Sequence, residues 1–510
     1  MNTTMLQHEL ESAALHYGDK TALISPTLQM SYHQLNRRAT AQGAALQRLG
    51  LNPGDRLAIL GHNSIDYISW HYGAAKAGVI LHVLNTRLAA DELSWMIDNA
   101  ESCALIAGPH FAELARQLQQ RCPSLKTLIG MSGEQSLDYS SEQLAQTQQA
   151  LTPVSLAPGD AALMIYTSGT TGKPKGALQS HAGSVLADRL TRDAVVINSS
   201  DRYLALMPFF HQAGLIRTRA TLLAGGSCVI LGKVTAIAAA DAIADYAITF
   251  TMLAAAAHSN AIRDKLAVQG PTPFSALRMI LGGGGSGHRA TASMERLCKA
   301  LNCDYFGVYG QTESTGPVVF ITGPDVFQRP TSCGRAFPGI DIAIWDSEGE
   351  PLGAGKDGQI VIRGGLTARY WRNEAANHDL YRGQWIQTGD IGTLDDQGYL
   401  YFKGRIKELI KTGAENVYPR EVEAILEQHP EIADVAVFGL PDGEWGERVC
   451  AAVVSRGSHQ ITLTQLRAFC RGKIGDYKHP KQLLFIDSIT RNHTGKILRQ
   501  ALIEQALKLD

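Results

Sequence analysis

Eleven positions, Tyr166 to Gly176, read YTSGTTGKPKG. They gather four hydroxyl side chains (Thr167, Ser168, Thr170, Thr171), three glycines (Gly169, Gly172, Gly176) and two lysines (Lys173, Lys175). Such a set does phosphate chemistry. Glycines let backbone N–H groups close on a polyanion, hydroxyls add hydrogen bonds, and lysines add point charges. The apolar run Ala161 to Ile165 leads straight into it. A Walker A loop would need a glycine where Thr167 stands and a Ser or Thr in place of Pro174, so this is a nucleotide-phosphate loop of another kind. A solvated Gly/Lys connection is the bland alternative, and it leaves so dense a set of donors after a strand unexplained.

Five further stretches carry candidate chemistry. Leu281 to Gly287, LGGGGSG, fits G-x-G-x-x-G at Gly282, Gly284 and Gly287. Alone that suggests a dinucleotide fold, but a glycine-rich strand exit also lets a flat base lie on the backbone, here at Gly283 and Gly284. Tyr309 to Ser314, YGQTES, offers a ring to stack on a base (Tyr309), then Gly310 and Gln311, a hydroxyl for a phosphoryl oxygen (Thr312) and a carboxylate for Mg²⁺ (Glu313). Without the phosphate loop, a solvated glutamate in a turn would explain it better. In Thr388-Gly389-Asp390 a carboxylate after a glycine turn could accept two ribose hydroxyls, and an aspartate in a type I turn fits equally. Gly404 to Glu423 places Arg405, Lys407 and Lys411 before a glycine turn, a pattern a charged surface strand also gives. Asn492 to Lys496, NHTGK, presents one lysine near the C-terminus and by itself says almost nothing.

The elements that must position these groups follow a βαβ rhythm. Leu35, Ala39, Leu46 and Leu49 fall on one helical face that ends at Gly50. Then come strand-like Arg56 to Leu60, a helix from Ser64 to Gly78, strand-like Val79 to Val83, a helix from Ala90 to Ala100 and strand-like Cys103 to Ala107. Strand-like segments resume at Tyr203 to Met207, Ser227 to Leu231, Ile248 to Leu253 and Leu277 to Leu281. The pattern predicts an α/β protein with mixed, mostly parallel sheets flanked by helices. Near Asp390 the character changes: Gln359 to Arg363, Ile391 to Leu394 and Tyr399 to Lys403 predict a small antiparallel region. From Arg405 onward the segments predict a separate α+β unit, with a helix from Pro419 to Gln428 and strands Val435 to Gly439, Arg448 to Val454 and Leu483 to Ile486. The expected division is therefore 1–404 and 405–510.

Composition narrows the function classes. At 510 residues the chain is too long for one core. Lys plus Arg (47) balances Asp plus Glu (48), which argues against a general nucleic-acid or anionic-membrane surface. Eight cysteines without a CxxC pair read as reduced core residues, and the N-terminus lacks the features of a signal peptide, so a cytoplasmic protein is expected. The most apolar stretch, Ala236 to Ala257, contains Asp241 and Asp245, and no uninterrupted run reaches the roughly 18 residues of a membrane span.

In this order and at these distances the motifs resemble those of the acyl-activating, adenylate-forming superfamily: acyl-CoA synthetases, adenylation domains of peptide synthetases, and luciferases. The resemblance covers essentially the whole chain. One departure lies at Gly284 to Gly287, where relatives often have Ala-Pro after the glycines. The resemblance implies a large N-terminal AMP-binding domain with a small mobile C-terminal lid, and ATP, Mg²⁺ and CoA as cofactors. It implies that Thr167, Ser168, Gly169, Thr170, Thr171, Gly172 and Lys175 hold the β and γ phosphates. Gly283, Gly284, Tyr309, Gly310 and Gln311 would meet the adenine, Thr312 the α-phosphate, Glu313 the Mg²⁺, and Asp390 and Arg405 the ribose. Lys496 would bridge the incoming carboxylate and the phosphate. For the second half-reaction the C-terminal domain would turn about Lys407 and bring in the loop from Gly413 to Asn416, while His211, in PFFHQAG, gates the acyl pocket or assists the thiol.

The same stretch bears on the acid. Amino-acid-activating relatives place an aspartate there, and Met207 to Gly214 contains none. Phe209, Phe210, His211 and Ala213 suggest an apolar fatty or aryl acid, with Gly282 to Gly285 leaving depth for a bulky one. Transfer to CoA is the leading reading, transfer to a carrier-protein phosphopantetheine or an amine the nearer alternative, and a dinucleotide-dependent oxidoreductase the distant one. A homodimer is compatible with the sequence.

Overall fold

Ser31 opens the first long helix. Its hydroxyl accepts from the Gln34 amide, and the Gln34 side chain accepts from the Ser31 amide in return, a reciprocal cap that starts Tyr32–Arg48. Leu35, Ala39 and Leu46 are fully buried on its inner face, as their spacing predicts, whereas Leu49 lies just past the last helical residue. The helix packs on Ile65–Ala77, which is buried along its whole length and stops at Gly78 in the left-handed conformation that glycine tolerates. The structure is a computed structural model that describes residues 5–146, 150–167, 174–253, 256–285, 287–365, 368–412, 415–443, 445–457, 461–491 and 497–508.

Two mostly parallel sheets carry the large part of the chain. In one, the strands run in the order Ala368–Tyr370, Lys175–Ser180, Ala161–Thr167, Ile80–Val83, Arg56–Leu60, Ser102–Ala107, Thr127–Gly130 and Tyr139–Ser140. In the other, Met279–Gly283 and Asp304–Gln311 lie side by side in parallel, followed on one flank by Phe250–Met252, Arg202–Leu204 and Ser227–Val229. Leu57, Ile59 and Leu81 of the first sheet and Tyr203, Phe250 and Phe306 of the second belong to one apolar cluster, so the two sheets share a core.

This topology gathers the motifs. The phosphate stretch joins Ala161–Thr167 to Lys175–Ser180, which pair antiparallel with Thr167 opposite Lys175. The glycine stretch and YGQTES both leave the carboxyl ends of adjacent parallel strands, the edge where open α/β sheets bind ligands.

A third, antiparallel sheet contains Asp341–Trp345, Gly358–Arg363, Trp385–Leu394 and Leu400–Arg405. Thr388-Gly389-Asp390 is not a hairpin turn but a bulge within Trp385–Leu394. Gln359 faces Ile391 while Val361 faces Gln387, leaving those three residues opposite Ile360. Gly389, at φ +71, takes the left-handed backbone the bulge requires. The fourth sheet, built on Ile432–Asp442 and Gly446–Ser455, has its own core of Ile410, Val422, Leu426, Val437 and Val449. No helix of the described residues is long and apolar enough to cross a membrane, and the eight cysteines are free thiols.

Candidate active site

Each strand end contributes a polar group to one region. Thr167, the last residue of its strand, donates its hydroxyl to Glu313 Oε1 at 3.2 Å. Glu313 stands in the single helical turn Thr312–Ser314 that follows Asp304–Gln311. Tyr370 donates to the same oxygen at 2.8 Å, and the Lys175 ammonium lies 5.0 Å from the Tyr370 ring centre. Gln179, from the strand that leaves the phosphate stretch, donates to the Thr312 carbonyl at 3.1 Å. Gln212 donates to the Thr315 carbonyl at 2.8 Å.

The bulge in Trp385–Leu394 aims Asp390 into the same neighbourhood. Thr388 Oγ1 donates to the Ile360 carbonyl at 2.7 Å and accepts from the Asp390 amide at 3.0 Å, which fixes the bend. Asp390 is 3% exposed. Its Oδ2 accepts from the Tyr309 hydroxyl at 2.8 Å and its Oδ1 lies 3.1 Å from Arg405 Nε. Burial, and then the Asp390 charge, push the Tyr309 phenol well above its ordinary value. Burial pulls the Arg405 guanidinium down, but Asp390, Glu408 and Glu313 outweigh it and leave the group firmly charged.

Beside these groups opens a cavity of about 740 Å³. Tyr309, Gly310, Gln311 and Thr312 form one wall, and His211, Ala213, Met207 and Ile216 another. His211 precedes the helix Gln212–Leu223 and touches Phe210 ring to ring at 4.6 Å. Burial, with Arg87 nearby, lowers its imidazole to about 4, so it is neutral at neutral pH.

The four glycines after Leu281 do not all serve the cavity. A side chain at Gly283 would meet open space, and Gly283 lines the cavity. At Gly282 a Cβ would lie 2.0 Å from the Tyr305 hydroxyl, and at Gly284 it would lie 3.0 Å from the Cys333 backbone. The depth expected from Gly282 to Gly285 thus comes from Gly283 alone, because the neighbours of Gly282 and Gly284 already fill theirs. Gly310 is required by a closer approach still, since a Cβ there would lie 2.3 Å from the Gly316 carbonyl.

Thr167, Lys175, Tyr309, Gly310, Gln311, Thr312, Glu313, Asp390 and Arg405 are therefore brought together, with His211 and Gly283 on the cavity. Lys407 and Asn416 are exposed, on the turn Ile406–Glu408 and the strand Glu415–Val417, and neither lines the cavity. Ser168, Gly169, Thr170, Thr171, Gly172, Gly413 and Lys496 lie outside the described residues.

Sequence reasoning missed Tyr370, Gln179, Gln212 and Arg217. No motif marks Tyr370; it arrives because Ala368–Tyr370 pairs antiparallel with Lys175–Ser180. Arg217, by contrast, does carry a signal, a cation directly after the apolar run Ala213 to Ile216.

Comparison with known proteins agrees with this geometry. Residues 10–371 match the AMP-binding enzyme model and residues 421–496 the AMP-binding enzyme C-terminal domain. A long-chain-fatty-acid–CoA ligase of Mycobacterium tuberculosis is 32% identical over 497 residues, 95% of this chain and 96% of the relative. A fatty acid–acyl-carrier-protein ligase of Streptomyces coeruleorubidus is 31% identical, covering 96% of this chain and 94% of the relative. Among solved structures, a Mycobacterium tuberculosis fatty acyl CoA synthetase superposes with a TM-score of 0.81 at 30% identity, covering 99% of each chain.

Proposed function

The chain belongs to the AMP-binding enzyme family, and from that premise we propose that it activates a fatty or aryl carboxylic acid with ATP and transfers the acyl group to CoA. The observation that carries the reading is the convergence of Thr167, Glu313 and Thr312 where Thr312 meets a large, mainly apolar cavity, with Asp390 and Arg405 joined to the same wall through Tyr309. The chain divides into 1–404, which binds nucleotide and acid, and 405–510, which carries Lys496. Eight free thiols suit a reducing cytoplasm.

In the first step a carboxylate oxygen attacks the α-phosphorus of ATP. The new O–P bond forms as the bond to the bridging oxygen breaks, and pyrophosphate leaves. Charge spreads over phosphoryl oxygens, so positioned donors and cations lower the barrier. Thr167, the hydroxyls after it and Lys175 hold the departing pyrophosphate, Thr312 the α-phosphate, and Asp390 the ribose. Lys496 offsets the repulsion between the two anions.

Glu313 fits Mg²⁺. It is one carboxylate beside a phosphate stretch, and no cluster of three ligand side chains exists among the described residues, which suits an ion bound chiefly through phosphate and water. The ion would neutralise phosphate charge.

In the second step the CoA sulfur attacks the acyl carbon, the bond to AMP breaks, and the thiol proton goes to solvent or a base. A thiol of ordinary pKa about 8.5 would transfer its proton uphill to an imidazole held at about 4. His211 therefore acts as a wall of the acyl pocket rather than as that base.

The test is acid-dependent pyrophosphate release across fatty, aryl and amino acids, with and without CoA. Thioester formation from fatty or aryl acids is expected. Turnover of amino acids alone, or none without a holo carrier protein, overturns the reading.

A further inference from the structure

Two arginines lie two positions apart on the helix Gln212–Leu223, and both are buried: Arg217 is 2% exposed and Arg219 is 1% exposed. Arg219 has a carboxylate for its charge, although its Nη1 has no hydrogen-bond partner among the described residues. Its Nε and Nη2 donate to the two oxygens of Asp188 at 2.7 and 2.9 Å, a forked ion pair in the core. Arg217 points to the other side and lines the 740 Å³ cavity. Its Nη1 donates to the Ala213 carbonyl at 2.9 Å, one turn back along its own helix, and its Nε has no hydrogen-bond partner. Among the described residues only the Tyr203 phenol favours its charge, and burial pulls the guanidinium below its ordinary value.

A buried guanidinium facing no carboxylate is costly, since desolvation of the charge is not offset. The rest of the cavity does not offset it either. None of its described lining residues is Asp or Glu, and the second arginine there, Arg263, spends its own donors on Asn260 and Ser293. A helix side chain leans toward the helix N-terminus, so the Arg217 head lies under Ala213, on the wall that begins at His211. The same cavity is lined by the apolar Met207, Ile216, Met252, Leu253 and Met294 as well as by polar side chains such as Gln212, Asn260 and Ser259. An anion arriving there would find a charge-assisted donor in a largely buried wall whose described lining holds no carboxylate.

We propose that the acid carries a second carboxylate, which pairs with Arg217 while the reacting carboxylate lies at Thr312. The substrate class is a dicarboxylic acid with an apolar alkyl or aryl spacer. This rests on the adenylation reading above and narrows it: the cavity selects not merely for an apolar tail but for an anion at the Arg217 wall.

The test compares α,ω-dicarboxylic acids of increasing length, phenyl dicarboxylic acids, their monomethyl esters and the matched monocarboxylic acids, by pyrophosphate release and CoA-thioester formation. Dicarboxylic acids should exceed their monoesters and monocarboxylic counterparts in kcat/KM by roughly 100-fold, the scale of an anion left without its buried partner. In Arg217→Met that ratio should fall toward one, and Arg217→Lys should restore part of it. Monocarboxylic acids preferred by the unaltered enzyme, or a preference unmoved by Arg217→Met, overturns the proposal while leaving adenylation standing. Silence with every acid overturns adenylation and the proposal with it. The panel on the unaltered enzyme decides the matter even if the variants do not fold.

Discussion

The Tyr370 hydroxyl donates to Glu313 Oε1 at 2.8 Å, the same oxygen that accepts from Thr167 at 3.2 Å. One carboxylate thereby ties the end of the strand Ala161–Thr167 to the strand Ala368–Tyr370, far later in the chain. Trp371 fixes that later strand, its amide donating to the Gly176 carbonyl at 2.8 Å and its indole to the Asn99 carbonyl at 3.0 Å. From this hydrogen bond Tyr370 is expected to orient Glu313. Tyr370→Phe should lower kcat/KM for adenylation by about tenfold and raise the Mg²⁺ concentration that half-saturates the rate, because a hydrogen bond to a charged group contributes about 1.5 kcal/mol. Pyrophosphate release followed across a Mg²⁺ titration checks it; an unchanged Mg²⁺ dependence refutes the orienting role.

Lys496 and the phosphate stretch are assigned to the first half-reaction only. Lys496→Ala should slow adenylate formation by roughly 10²–10³-fold, the loss seen when one transition-state charge partner is removed, yet leave thioester formation from pre-made acyl-adenylate near its original rate. Single-turnover measurement of each half-reaction separates the two. Equal loss of both would show that the division of labour is wrong.

Neighbouring glycines should respond oppositely to one methyl group. Gly284→Ala drives a Cβ to within 3.0 Å of the Cys333 backbone and should destabilise the fold by roughly 1–3 kcal/mol, read as a lower melting midpoint. Gly283→Ala meets open space on the cavity wall and should leave the midpoint unchanged while raising KM for the bulkiest acids. The reverse pattern would mean that the glycine roles are misassigned.

Buried imidazoles give the fold an acid-sensitive window. His82 is lowered to about 3 and His181 to about 4, each chiefly by burial, with His211 also at about 4. The unfolded chain takes up protons at these sites as pH falls through about 6.5, while the folded chain stays neutral there until near pH 4. Between those limits the unfolded state binds more protons, so their contribution is complete above pH 6.5 and is lost as pH falls toward 4. The melting temperature should decline steadily across that window, and the decline should flatten in His82→Asn, which removes one of the titrating groups. A profile that is level from pH 6.5 to 4.5 would contradict this.

Much of the architecture is legible along the chain because it rests on local rules. Arg56–Leu60 and Ala90–Ala100 fall where their apolar spacing places them, and Pro419 opens its helix as its missing N–H allows. Some strands of the second parallel sheet are shorter than their apolar runs: Tyr203 to Met207 yields only Arg202–Leu204, because burial continues past the end of the strand. Thr388-Gly389-Asp390 reads as a turn because a glycine bulge and a glycine turn have the same local signature, and only the register against Gly358–Arg363 tells them apart.

By itself the sequence determined the kinds of group available: a phosphate-binding stretch, a carboxylate for an ion, and an aspartate after a glycine that could take a sugar. Those follow from side-chain chemistry and from periodicity, which need no partner in space. Tertiary structure alone decided which groups meet. Strand pairing set Tyr370 on Glu313, and close packing at Tyr305 and Cys333 left Gly283 as the one glycine of its group with open room above it. Which buried arginine is paired also depends on the fold, since Asp188 comes from a different helix and faces Arg219 but not Arg217. Such pairings join residues far apart in sequence through contacts whose energy exists only once the core has closed.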